Sequence, residues 1–197
     1  MRRRTFDWLM STGGIVVTVV LIVAGVLLFA GYKFADNNVH EQLAAQKIFF
    51  PPAGNDAITG LPAADRAFVA KYAGRQLVTG AQAEAYADHF IAVHLREIGG
   101  GKTYAQLSAR ALTQPNNAAL QAQVQTVFRG ETLRGLLLNA FAFWKLGQIA
   151  QLAMWVAFIL AGVMGALTIL GFWHLRRVAP EAELEAPVAT HLHRASA

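Results

Sequence analysis

The chain contains no cysteine, which excludes disulfides, thiolate metal centres and a cysteine nucleophile without identifying a compartment. It is also short of charge. Charged residues make up 15% of its 197 positions, against about 25% in an ordinary soluble domain. With 55% of the residues hydrophobic, apolar surface must meet a solvent other than water. Strand signals are few. No Ser/His/Asp arrangement can be assembled, because Ser11, Ser108 and Ser196 lack the context of a nucleophile elbow.

Two stretches lack charge altogether. Residues 13–32 read GGIVVTVVLIVAGVLLFAGY, and twenty residues at a 1.5 Å rise cover about 30 Å, the thickness of a bilayer's hydrocarbon core. Residues 149–173 read IAQLAMWVAFILAGVMGALTILGFW, long enough to span with some tilt. No intramembrane charge marks an ion or proton path. Aromatic residues stand near the expected boundaries: Trp8 and Trp173 on one side, Tyr32, Phe34 and Trp144 on the other.

The net charge of +5 and pI near 9.9 could suggest nucleic acid, but the arginines are placed otherwise. Arg2, Arg3 and Arg4 precede the first run, and Arg176 and Arg177 follow the second, so both flanks are expected to be cytoplasmic and no nucleic-acid partner is expected. The first run is longer than a signal-peptide core and reads as an uncleaved anchor. Arg3-Arg4-Thr5-Phe6 resembles a twin-arginine export signal, but Asp7-Trp8 departs from its usual continuation.

The expected architecture is an all-α membrane protein. It has a cytoplasmic N-terminus (1–12), a first transmembrane helix (13–34), an extracytoplasmic helical domain (35–148), a second transmembrane helix (149–173) and a cytoplasmic tail (174–197). The tail is too poor in buried-type residues to order, and its His191 and His193 suit weak metal binding at most. In the second span Ala153, Ala157, Ala161 and Gly165 recur every four residues, one stripe of a helix. Small residues let helix backbones approach closely in lipid. The stripe therefore predicts a helix–helix contact, either with the first span or with another membrane protein or a second copy. Gln148 and Gln151 could add hydrogen bonds, and Trp155 is expected to face lipid or a partner.

Between the spans the period is helical. The first span is expected to continue through Val39, Leu43 and Ile48 until Pro51 and Pro52 stop it. Phe49 and Phe50 read equally as core or as an interfacial anchor. A helix starts near Pro62 and carries Phe68 and Tyr72. Capping-box patterns at Thr79/Gln82 and Thr103/Gln106 open two more, the first ending at Gly99-Gly100-Gly101. Asn116 or Asn117 caps a helix burying Leu120, Val124, Val127 and Phe128, which Gly130 is expected to interrupt. From Glu131 a last helix leads into the second span.

Two motifs invite chemistry. Gly99-Gly100-Gly101-Lys102-Thr103 resembles a phosphate loop, but the position that must be glycine is Arg96, so a helix terminator followed by a threonine cap is expected instead. His94 and Glu97 lie three apart on a predicted apolar helix face with Tyr86, Phe90, Val93 and Ile98. The simplest account is a buried imidazole paired with a carboxylate. A metal site completed by His89 or His40, or a general base, is the alternative. No cofactor is expected.

The runs Asp88–Leu95, Phe128–Ala140 and Ala45–Pro52, with the opening Arg-Arg-Arg-Thr-Phe-Asp, resemble an actinobacterial family of small two-span membrane proteins. Members are often labelled "aromatic ring-opening dioxygenase", a label that implies non-haem iron held by two histidines and a carboxylate. The resemblance covers nearly everything except the tail. It implies a two-span membrane protein without an assigned activity. The composite expectation is a non-catalytic envelope protein, an accessory or scaffold subunit of a membrane complex. The alternatives are a metal-binding or enzymatic outer domain using His94 and Glu97, and a lipid or small-molecule binding module.

Overall fold

The computed structural model describes residues 3–177. The expected disorder of the tail, the histidines His191 and His193 and the flanking Arg2 lie outside the described residues. The protein is all-α, 82% helical and without strands among the described residues. Two helices are long and apolar enough to cross a membrane, α1 (Arg3–Ala45) and α7 (Ala118–Arg177). Between them lie α2 (Asp56–Thr59), α3 (Ala63–Ala70), α4 (Gly80–Tyr86), a π-helical turn (Ala87–Ile91), α5 (Ala92–Ile98) and α6 (Tyr104–Thr113). The chain divides into two compact units, Met1–Leu28 with Leu152–Ala197, and Phe29–Gln151.

The first unit is an antiparallel helical hairpin. On α1 the side turned inward is Ser11, Gly14, Thr18, Leu21, Gly25 and Leu28, in steps of three and four. On α7 the buried residues are Met154, Ala157, Ala161 and Thr168. Alternating three- and four-residue steps keep a seam on one side of each helix. Glycine makes the close approach possible. A Cβ added to Gly25 would fall 2.6 Å from the Phe158 ring, and one added to Gly171 would fall 2.5 Å from Ser11 Oγ. Gly14 lies directly against Thr168 Oγ1, a buried hydroxyl with no hydrogen-bond partner among the described residues, and a side chain at Gly14 would collide with it. The outward surface is the reverse of a soluble protein's. Val16, Val20, Leu27, Leu152, Ile159 and Ile169 are exposed.

The four-residue stripe maps onto this seam only in part. Ala157 and Ala161 are buried, and Ala153 and Gly165 are half-buried, with Gly165 facing Thr18. Each four-residue step overshoots a turn by about 40°, so four such positions spread over about 120° and the end members drift to the seam's flanks. Met154 and Thr168 take the inner places instead.

The second unit holds the hydrophobic core. Val39 and Leu43 of α1, Leu137 of α7, Ile58, Leu61, Val69, Ile91, Val93 and Leu95 pack around Phe50. A satellite cluster joins α6 to the start of α7 through Leu107, Ala111, Leu120, Val124 and Val127. Both capping boxes form, at Thr79/Gln82 and Thr103/Gln106. Asn117 caps α7 through a bond from Leu120 N–H of 3.0 Å.

Four expectations need correction. α1 stops at Ala45, so Ile48 is not helical; Lys47 turns left-handed at φ 52°, and the Ala44 carbonyl accepts both the Lys47 N–H at 3.2 Å and the Gln76 amide at 2.8 Å. The segment from Ile48 then runs extended, and Phe49 pairs with Gln76 across an isolated bridge. Alternation separates the two phenylalanines: Phe50 is buried and Phe49 exposed. Gly130 does not interrupt α7 but accommodates the Leu95 side chain, and Phe128 is exposed rather than buried. α3 ends at Ala70, so Tyr72 lies in the turn that follows rather than on the helix.

Candidate functional site

The helix that begins at Thr79 does not run evenly to Ile98. Five residues, Ala87–Ile91, widen into a π-turn, a feature frequently found at functional sites. The turn carries Asp88 and His89 to two different neighbours. His89 Nδ1 bonds Asp65 Oδ1 of α3 at 2.8 Å, and its ring stacks on Phe68 at 3.9 Å and 5°. Asp88 Oδ1 accepts from Arg134 of α7 at 2.9 Å and 3.2 Å. That hydrogen bond, opposed by partial burial and helped by Glu131, raises the Arg134 guanidinium further above its ordinary value. Both bridges are local ties that fix α3 and α7 to the widened turn.

The sequence favoured a different pair. His94 Nδ1 donates to its own helix, to the Phe90 carbonyl at 2.7 Å, and its ring tilts against Phe90. Glu97 and Ile98 are exposed and do not share the buried face. His94 Nδ1 is taken by that carbonyl, and no bond joins the ring to Glu97 among the described residues. His40 is exposed on α1. Among the described residues no group of three or more histidines and carboxylates could hold a metal ion. The pair expected between His94 and Glu97 does not form; the imidazole–carboxylate bond in the structure is His89 to Asp65. Its signal in the sequence was absent, since the partners stand 24 residues apart and only the tertiary fold brings them together.

The second candidate is a groove of about 330 Å³ in the unit Phe29–Gln151. One wall is the end of α1, where Asn38 and Gln42 present carboxamides one turn apart, followed by Gln46 in the turn after the helix. The other is α7, with Leu133, Leu136, Ala140, Phe143 and a single amide, Asn139. Gln42 donates to Asn38 at 2.8 Å, so the ladder is internally aligned. Phe34 meets Phe143 edge-to-face at 6.2 Å. Among the described residues no titratable side chain lines the groove. The volume lies at the small end of the range for small-ligand sites. Sequence reading missed it because each helix looks ordinary alone.

No protein-family model, curated protein or solved structure matches the chain.

Proposed function

We propose that this chain is an integral membrane protein with both ends in the cytoplasm, its central helical domain outside, acting as a non-catalytic accessory or scaffold subunit of a membrane complex. The observation that carries the membrane reading is the inverted surface of the first unit. Only 11% and 22% of the most apolar windows of α1 and α7 are buried, whereas the core helix of a soluble protein would hide most of such a window. Lipid is the solvent that tolerates that surface.

The scaffold reading rests on how the polar side chains are used. Asp65 bonds His89 and Asp88 bonds Arg134 across helices, Arg134 also meets Glu131 on its own helix, and among the described residues no group of histidines and carboxylates could hold a metal ion. The resemblance to the actinobacterial two-span family supports the same layout. Association through the second span would use the large apolar side chains around Trp155, which is exposed, because the small-residue seam already holds α1. Purification from native membranes at native expression level in mild detergent, with identification of co-eluting chains, tests this. A stoichiometric partner is the expected result; a lone monomer would defeat the subunit reading. The groove favours a second reading, a lipid or small-molecule binding module.

A further inference from the structure

From the groove between α1 and α7 we infer that the domain binds a lipid with an uncharged, hydroxyl-rich headgroup, drawn from the outer leaflet. The inference rests on the membrane reading above and goes beyond it. Three features of the groove select this ligand. First, its polar groups are carboxamides alone: Asn38, Gln42, Gln46 and Asn139. Each offers both donors and an acceptor, as a hydroxyl does. A phosphate or carboxylate headgroup calls for arginine or lysine, and neither lines the walls. Second, the walls differ in character, with the amide ladder facing Leu133, Leu136 and Phe143. A pyranose ring has hydroxyls at its edges and C–H groups on its faces, so it can bond one wall and lie on the other. Third, the groove is close to the apolar run along the same helix. Asn38 follows the uncharged stretch ending at Tyr32 by six residues, about 9 Å of helix, so a bulky headgroup projecting from the outer leaflet reaches it while its acyl chains stay in the membrane. Phe34, 64% exposed beside Phe143, provides the apolar continuation for an acyl chain.

The test uses the full chain in phosphatidylcholine nanodiscs. Each preparation is doped with equal amounts of a monoglucosyl diacylglycerol, a phosphatidylglycerol, or a plain diacylglycerol, and native mass spectrometry counts the lipid retained. The glucolipid is expected to be retained in preference to both others. Asn38→Leu with Asn139→Leu removes two hydrogen-bonding amides and is expected to lower retention about tenfold. Gln42→Leu, a single change at an exposed position, is expected to lower it about threefold with helix content unchanged. Equal retention of the three lipids, preference for the anionic lipid, or indifference to both variants would overturn the inference. Displacement of the glucolipid by free glucose at equal concentration would assign a soluble saccharide instead and overturn it too. Failure of the chain to enter nanodiscs would fall on the membrane reading itself.

Discussion

Tyr86 stands at the core's aromatic corner, edge-to-face on Phe50 at 5.1 Å and against Phe90 at 4.8 Å. Burial pushes its phenol above the ordinary value of 10.0, because the charged form would lose its hydration. The folded chain thus keeps its proton at pH values where the unfolded chain has released it. The resulting stability is fully present below about pH 10 and is lost as pH rises through the folded value. Tyr86→Phe removes that dependence. Thermal melts of the two proteins are expected to agree within about 1 kcal/mol at neutral pH, with the variant losing less stability on going above about pH 10. Parallel loss in both proteins would show that the phenol's burial has no energetic consequence. Residue by residue, the sequence told where helices begin better than what side chains touch. Thr79 and Thr103 were legible, and Asn117 to within one residue of Asn116, because a cap involves neighbours within three residues. The bonds of Asp65 to His89 and Asp88 to Arg134 were not, because their partners are 24 and 46 residues away.

At the scale of elements, the hairpin makes a sharper statement than the stripe did. Facing pairs run Ser11 with Gly171, Gly14 with Thr168, Thr18 with Gly165 and Gly25 with Phe158. Large and small alternate across the seam, so neither helix is the small one. The sequence showed half of this: α7's alanines stood out, but Gly14, Thr18 and Gly25 of α1 became meaningful only once paired. The π-turn was not legible at all, since widening a turn by one residue is settled by tertiary bonds to α3 and α7 rather than by local propensity. Because the chain has no cysteine, introduced thiols report without background. A Thr18→Cys, Gly165→Cys protein is expected to oxidise to a disulfide within one chain, given that the Gly165 Cβ position lies 3.7 Å from Thr18 Cγ2. A predominantly dimeric product on denaturing gels would mean that the seam joins copies instead. Ala157→Leu, which forces a larger side chain into a buried position, is expected to cost about 1–3 kcal/mol and to slow that cross-link.

For the whole molecule, the two long helices set the constraint, and the proposed direction rests on charge. α7 ends in His174, Arg176 and Arg177, and the Arg177 guanidinium lies 3.9 Å over the Trp173 ring. An aromatic ring at headgroup depth with a cation stacked on it suits a membrane boundary on the side where positive charge is retained. The opposite ends of the two runs carry no comparable cluster: Lys33 and Lys145 stand singly, and the long stretch between them mixes both signs. A stretch of that length crosses regardless of its charge, so in the proposed topology the short basic ends set the orientation. Thr59, exposed at the end of α2, should then face outward, and Arg177 inward. Single cysteines at these two positions, treated in intact cells with a membrane-impermeant maleimide, read the answer directly. Thr59→Cys is expected to label within minutes and Arg177→Cys only after the membrane is permeabilised. Labelling of both in intact cells would place the ends of the chain on the same side as the domain, which would break the two-span reading. Labelling of Arg177→Cys alone would keep the spans and invert them, bringing the amide-lined groove to the cytoplasmic leaflet and changing which lipids it could meet.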